Sequence, residues 1–261
     1  MTDITIRLLD SLDEFYRCVQ IARAVWSDAE LDTEPPVTYV IAHHTGGQVL
    51  GAFDGDTMIG FTKAYVGLHD QIPYLHSHMA AVLPSHRNRH IGRQLKLAQR
   101  DDALRRGLRL IEWTFDPLEI KNAHFNINRL GAFSRRYIPN FYGITTSPLH
   151  RGMPTDRLLV EWHLDSPRVI SAIKELTPEP RECPAQIHIP AAALAAAQDA
   201  STSAATSQQG SAFSPSSGSL IGLQSRLRTE FTTWFAKGYA FTSVQQSSFG
   251  VAYCLSPYSD F

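Results

Sequence analysis

Between residues 73 and 106 a strand signal, a short basic loop and a helix signal follow one another without a gap, and this segment constrains the fold most. The apolar alternation predicts a strand over 73–83. The spacing of Ile91, Leu95 and Ala98 predicts a helix over 91–106 with one apolar face. The first backbone N–H groups of a helix have no intrahelical partner, so the segment predicts an anion site where the strand ends.

Four cationic side chains lie in the loop and in the first turns of the helix, namely Arg87, Arg89, Arg93 and Lys96. Together with backbone donors and Gly92, which permits close approach, they suit a polyphosphate ligand. A solvated basic turn before a helix would carry the same residues. The residue types alone leave both interpretations open.

The remaining signals predict a mixed α+β fold. Strands are expected at 4–9, 48–53, 58–68, 108–115 and 157–164, and helices at 11–26, from Pro35, at 122–130 and around 223–235. A closing hairpin is expected at 239–244 and 249–255. Residues 191–219, rich in Ala, Ser, Thr and Gln, are expected to form a flexible linker.

The composition excludes several classes of protein. The 261 residues are 43% hydrophobic and 19% charged, with a formal net charge of −1, so the chain is not disordered throughout. A broad nucleic-acid or anionic-membrane surface would need a more basic chain. Three widely spaced cysteines predict no disulfide framework. No apolar run reaches membrane-spanning length and the start has no signal-peptide pattern, so a cytoplasmic protein is expected.

Residues 82–93 resemble the acetyl-CoA-binding motif of the GNAT superfamily of N-acyltransferases. In the family pattern Gln/Arg-x-x-Gly-x-Gly/Ala, Arg87 matches the first position and Gly92 the last, while His90 replaces the middle glycine. The order of elements matches over residues 4–165. The run 113–132 is similar to one subfamily of predicted acetyltransferases. The resemblance implies a GNAT-like domain over 1–165, with a central, mostly antiparallel sheet flanked by helices, and a small α+β extension over 166–261.

The resemblance also implies where an acyl-CoA would bind. The strand at 73–83 would splay from the strand at 108–115, and the pantetheine arm would pair with backbone near Ala81 and Val82. Acetyl-CoA or another acyl-CoA is the expected co-substrate. The remaining cofactor contacts implied are Arg87, Asn88, Arg89, His90, Ile91, Gly92, Arg93 and Asn122.

A general base must accept a proton from the attacking amine. The family spacing places His76 where many members carry a glutamate, and His78 shares the same strand face. Their ordinary pKa suits this role, although both could be structural. Glu112 is an alternative base or substrate anchor, with a sheet-edge or solvent role favoured. His-x-His is also a metal-ligand spacing, but no carboxylate or cysteine lies close by, so no metal is expected.

The family's acidic tyrosine is not supplied, because Ile127 occupies its slot. Tyr137 and Tyr142 lie downstream, and a thiolate beside an anion site could also leave without a dedicated acid. His124, Arg135 and Tyr137 fall where the family often builds its acceptor pocket. A surface role for these three residues stays open.

The function expected is acyl-CoA-dependent N-acyltransfer, most simply N-acetyltransfer, to a small-molecule amine such as an amino acid. The alternatives are a non-catalytic acyl-CoA-binding module and, less favoured, a histidine-based metal-dependent hydrolase. No nucleic-acid or membrane partner is expected. The 166–261 extension could complete the sheet, cover the acceptor site or form a homodimer interface.

Overall fold

A computed structural model describes residues 4–26, 33–145, 147, 150, 152–174, 183–191, 215–247 and 250–260. The chain forms two compact units, Met1–Trp113 and Thr114–Phe261. The division predicted at residue 165 follows the family resemblance rather than these contacts, and it stays a prediction. Of the expected linker, residues 192–214 lie outside the described part, whereas residues 215–219 are wrongly assigned to it because they are helical.

The first unit alternates helices and strands as the sequence predicts, and the mixed α+β class is confirmed. Its elements are β1 (Ile4–Leu8), α1 (Leu12–Trp26), α2 (Pro36–His44), β2 (Gln48–Asp54), β3 (Thr57–His69), β4 (Ile72–Val82) and α3 (Ile91–Arg105). The strand β5 (Leu110–Phe115) runs on into the second unit. The strands of the first unit pair in the order β1-β2-β3-β4-β5, and only β4 and β5 are parallel.

Helices cover both faces of this sheet because its strands carry apolar residues on both faces, as the continuously buried β2 shows. On β3, Phe61 packs among α1 and α2. Ile59 is the extra residue of a bulge opposite Ala52 and Phe53, and it packs on the other face against Ile91 and Leu95 of α3. A bulge interrupts the β3–β4 ladder, where Lys63 pairs with Met79 and Ala64 with Ser77. His78 is therefore the extra residue of β4.

The second unit contains three elements that the sequence does not signal clearly. Its elements are α4 (Ile120–His124) with a π turn (Phe125–Arg129), β6 (Phe133–Ile138), β7 (Arg157–His163), α5 (Pro167–Ile173), β8 (Ala185–Pro190), α6 (Pro215–Ala236), β9 (Tyr239–Ser247) and β10 (Gly250–Pro257). The unpredicted elements are β6, α5 and β8. In β6 two adjacent arginines, Arg135 and Arg136, interrupt the apolar alternation that identifies a strand.

The C-terminal strands extend the sheet of the second unit. The pairing order is β7-β6-β9-β10-β8, and Ser134 of β6 pairs with Phe241 of β9. The helix α6 buries Phe231 against Phe241 and Tyr253, with ring centroids 5.6 and 5.9 Å apart. Of the three roles left open for the extension, sheet completion is the one observed.

The expectation that the cysteines form no disulfide is wrong. Cys183 and Cys254 are disulfide-bonded, with their Cα atoms 5.3 Å apart. They are 71 residues apart in sequence, so spacing alone did not suggest the pair. Strand pairing explains it, because β8 lies antiparallel to β10 and Gln186 faces Cys254. Among the described helices, none is long and apolar enough to span a membrane.

The disulfide is expected to stabilise the second unit, since closing a loop of about 70 residues is worth up to about 4 kcal/mol in the chain-entropy model. Cys183→Ser should therefore lower the free energy of unfolding by about 2–4 kcal/mol in urea titrations. A reducing agent should destabilise the unmodified chain by a similar amount and leave Cys183→Ser unchanged. Equal stability of the oxidised and reduced chain would contradict the pairing.

Candidate functional site

The parallel β4–β5 pair stops after two positions. Leu75 pairs with Ile111 and His76 pairs with Glu112. From Ser77 to Val82, β4 pairs with β3 only, so within the described strands one edge of β4 carries backbone groups with no strand partner. Backbone donors and acceptors on an open edge can pair with an extended ligand that contains amides.

The loop after β4 turns twice through left-handed backbone before α3 begins. Asn88 has a φ of 62° and His90 a φ of 60°. α3 starts without a side-chain cap and without an acidic residue in its first turn. Its N-terminal N–H groups and the helix dipole therefore favour an anion at this end. A Cβ added at Gly92 would meet no atom within 4 Å, so the space beside this turn is open.

Of the four cations predicted for the anion site, Arg93 is half-buried in the first turn of α3. Arg87 is exposed in the loop. Arg89 is also exposed, but its Nη1 lies 3.3 Å from Asp54 Oδ2 at the end of β2. The expectation for Lys96 is wrong, because its side chain is buried between α3 and the strands. Residues 96 and 92 are one helical turn apart, but Lys96 sits on the inward face of α3.

A row of polar side chains crosses the sheet on the face covered by α1 and α2. Tyr65, His76 and Glu112 occupy paired positions on β3, β4 and β5 and therefore share a face. The rings of His76 and His78 are 6.2 Å apart. The prediction that His76 and His78 lie together is confirmed. Burial, reinforced by the charges of His78 and Lys96, lowers the pKa of His76 to about 4.

Glu34, which precedes α2, holds His78. Its Oε1 lies 2.5 Å from His78 Nε2, and its Oε2 accepts hydrogen bonds from Lys63 and from Thr38. Burial acts to raise the pKa of the Glu34 carboxyl, but the hydrogen bonds from His78 and Lys63 prevail and lower it to about 2. The carboxylate is therefore ionised at neutral pH and orients the imidazole.

Three further residues of this polar cluster, Glu34, Thr38 and Lys63, were not predicted from the sequence. Lys63 is fully buried in the middle of β3, and its Nζ lies 4.4 Å from the centre of the Tyr39 ring. No local motif surrounds these residues. Their proximity arises because α2 folds back over β3 and β4, at sequence separations of 25 to 44 residues.

Glu112 is buried, so the expected solvent role is wrong, while its role as a base or substrate anchor stays a prediction. Its side chain is 3% exposed, and its Oε2 lies 3.0 Å from His69 Nε2. The His69 ring stacks on Tyr74 at 4.2 Å. Tyr74 lies so closely over Gly67 that a Cβ there would come within 2.5 Å of the ring. The Glu112 carboxylate therefore lies at one end of a row formed by the His69 and Tyr74 rings.

The remaining predicted residues lie in the second unit. Asn122 and His124 are exposed on α4. Arg135 is ion-paired to Glu161 through Nε at 2.8 Å, and the Tyr137 hydroxyl donates to Asp156 Oδ2 at 2.7 Å. Both side chains thus have structural contacts, and a substrate-binding role for them stays a prediction.

Ile127 occupies the position of the family's tyrosine. It lies in the π turn and is buried, with 1% of its surface exposed. The Tyr142 hydroxyl lies 3.0 Å from Thr114 Oγ1, so it is held at the end of β5. In the described part of the chain, no group of three or more His, Cys, Asp or Glu side chains is placed to hold a metal ion. A cavity of about 440 Å³ beside Arg17, Asp56 and Leu83 contains none of the predicted site residues.

Comparisons with known proteins find similarity to acetyltransferases in sequence and in fold. Residues 9–129 match the model of the acetyltransferase (GNAT) family. Among curated proteins, none is a significant match. Solved structures match with TM-scores of 0.51, and at identities of 13–19% the likeness is one of fold.

Three of these structures cover 62–63% of this chain. The first is a candidate acetyltransferase of the GNAT family from Desulfovibrio desulfuricans, 13% identical and covered over 99% of its length. The second is yncA, a candidate acetyltransferase from Salmonella typhimurium with its cofactor acetyl-CoA, 19% identical and covered over 95%. The third belongs to the NatC complex bound to Gag peptide and CoA, 15% identical and covered over 98%.

The left-handed backbone of His90 leads to a testable prediction about the stability of the loop. A non-glycine residue in this conformation costs about 1–2 kcal/mol, which glycine avoids at a somewhat smaller entropic cost. His90→Gly should therefore leave the free energy of unfolding within about 0.5 kcal/mol of the original. His90→Val, which is β-branched, should lower it by more than about 1 kcal/mol. Equal urea midpoints for the glycine and valine variants would contradict the assigned backbone.

Proposed function

We propose that this chain, whose residues 9–129 match the model of the acetyltransferase (GNAT) family, transfers an acyl group from acyl-CoA to the nitrogen of a small-molecule amine. One observation supports this proposal above the others. The β4–β5 pair opens after His76 and Glu112, and the open edge of β4 then leads through the loop at 83–90 to the uncapped end of α3. An open strand edge that leads into a helix N-terminus suits a ligand with amides at one end and phosphates at the other.

Two observations support a fit between these residues and coenzyme A. The open space at Gly92 allows a phosphate to approach the first turn of α3, where Arg87 is exposed to pair with it. The unpaired edge of β4 from Ser77 to Val82 is available to the pantetheine amides. When bound, acyl-CoA supplies a thioester whose carbonyl carbon an amine can attack. The contacts implied for Ala81, Val82 and residues 87–93 stay predictions.

The polar row on the α1/α2 face is proposed as the acceptor side. Glu34 and Glu112 place carboxylates on this face, which attract an ammonium group as it approaches. The positive charge of Lys63 offsets part of this negative charge, but Lys63 is fully buried and does not face the approaching amine. An amine that is drawn in as an ammonium must lose a proton before it can attack a carbonyl.

His78 is proposed as the group that takes this proton. It is the bulged residue of β4, at the point where the strand has left β5. The carboxylate of Glu34 lies on one ring nitrogen, so it fixes the orientation of the imidazole and stabilises the cation that forms. His76 is deeper, and its lowered pKa of about 4 makes it a weaker base at neutral pH.

Binding of acyl-CoA should appear as stabilisation, because a ligand specific to the folded state raises the free energy of unfolding by about 2.7 kcal/mol at 100 times its Kd. Acetyl-CoA should therefore raise the Tm of the unmodified chain. Gly92→Glu should abolish the rise while preserving stability, because an acidic residue in the first turn suits the helix dipole but repels phosphate.

Gly222→Glu is the matched control, since Gly222 also lies in a helix with open space around its Cβ but in the second unit. It should retain the full acetyl-CoA effect. An equal rise of Tm in Gly92→Glu would place the phosphates elsewhere.

Base catalysis by His78 should be visible in thiol-release assays with acetyl-CoA and a panel of small amines, amino acids and peptides. His78→Ala should lower kcat/KM by about 10²–10⁴, the usual contribution of a general base. His44→Ala removes an exposed histidine at the end of α2 and should leave kcat/KM unchanged. A large loss in His76→Ala with little loss in His78→Ala would transfer the role to His76. Binding of CoA without thiol release from any amine would favour a non-catalytic binding module.

A further inference from the structure

Lys96 is a buried lysine with no counter-ion among the residues that the structure describes. It is 4% exposed, and its Nζ donates to Ser77 Oγ at 2.7 Å and to Gln99 Oε1 at 3.2 Å. The same nitrogen lies 3.9 Å from the centre of the Trp113 ring. It forms no ion pair with any described residue. Burying an ammonium without an anion is costly, so packing alone does not explain a lysine here.

The position of this ammonium is specific. Ser77 and Trp113 are the residues that immediately follow the last β4–β5 pair, His76 with Glu112. The nitrogen of Lys96 contacts both, so it lies where the two strands begin to separate. It approaches from the α3 side, opposite the face that carries His78. The charge of Lys96 also reaches His76, whose pKa it helps to lower.

The groups around Lys96 have more hydrogen-bond donors than acceptors. Ser77 Oγ accepts from Lys96, and among the described residues the Ser77 hydroxyl proton has no acceptor. The Gln99 side-chain Nε2 is buried and also lacks an acceptor there. Burial lowers the pKa of Lys96 to about 7, so its proton is readily transferred near neutral pH. Such a cluster is suited to receive an anion.

We propose that Ser77 and Lys96 bind the sulfur of coenzyme A as it leaves, Ser77 by direct contact and Lys96 as the positioning residue behind it. This inference rests on the proposed acyl transfer. The amine nitrogen forms a bond to the carbonyl carbon, the carbon–sulfur bond breaks, and its electron pair stays on sulfur. The Ser77 hydroxyl gives its proton to the thiolate and takes one from Lys96. Solvent then returns a proton to Lys96, while the amine's proton leaves through the base.

This arrangement would supply the acid that the buried Ile127 does not provide. The thiol is the one group of coenzyme A that the pair would recognise. Its test therefore compares coenzyme A with desulfo-coenzyme A, which lacks the sulfur but keeps the phosphates and the amides.

The experiment measures the Kd of both ligands by calorimetry at pH 8 for the full chain and its variants. The unmodified chain should bind coenzyme A about tenfold more tightly than desulfo-coenzyme A, as expected for one charge-assisted hydrogen bond to a thiolate. Lys96→Met and Ser77→Ala should each remove this preference and leave the Kd of desulfo-coenzyme A unchanged. Lys96→Met is expected to fold, because it replaces a buried charge by an apolar chain of similar size.

Lys237→Met is the matched control, since Lys237 also lies over a tryptophan ring, 4.8 Å from the centre of Trp234, but is exposed in the second unit. It should keep the tenfold preference. The same preference in Lys96→Met and in the unmodified chain would overturn the assignment of Lys96. Failure of the unmodified chain to bind either ligand would instead overturn the proposed function.

A second readout is the ultraviolet absorbance of the thiolate during a pH titration of bound coenzyme A. The pKa of the bound thiol should be at least one unit lower in the unmodified chain than in Lys96→Met. A purely structural role for Lys96 would leave this pKa unchanged. Equal thiol pKa values in the two proteins would therefore contradict the proposal even if both bind coenzyme A well.

Discussion

The early end of one parallel strand pair is the feature on which the proposed chemistry depends. β4 and β5 pair at Leu75 and His76 and then separate, which leaves the rest of β4 with an open edge. Backbone N–H and C=O groups require partners, so an open edge inside a sheet is retained where a ligand can pair with it. The bulge at His78 lies at the same point. The loop that leaves this strand leads directly into α3.

The two faces of the sheet carry different charges near this opening. On the α1/α2 face, Glu34 and Glu112 place carboxylates beside histidines. On the α3 face, Lys96 places an ammonium against Ser77. A thioester transfer needs proton removal from the amine and a stabilised leaving sulfur at the same carbon. Groups of opposite character on opposite faces suit these two tasks and keep them from neutralising each other.

Most of the first unit was predictable because its signals are local. Apolar alternation identified the strands. The helix expected from residue 11 begins there because Ser11 and Glu14 form a capping box, in which Glu14 Oε2 accepts a hydrogen bond from the Ser11 N–H at 3.3 Å. The motif that contains Arg87 and Gly92 identified the start of α3. The features that were not predicted also have a physical reason. The pairing of Cys183 with Cys254 depends on the order of the strands, which no local pattern encodes.

The sequence by itself determined the order of elements in the first unit, the resemblance to the GNAT superfamily and the two histidines of β4, because periodicity, capping and glycine-dependent turns act over a few residues. Only the tertiary structure decided that Glu34 meets His78 across 44 residues and that Lys96 turns inward rather than toward the loop. Contacts of this kind depend on how a helix is rotated against a sheet. That rotation is set by the packing of the whole core, not by the neighbours of a residue along the chain.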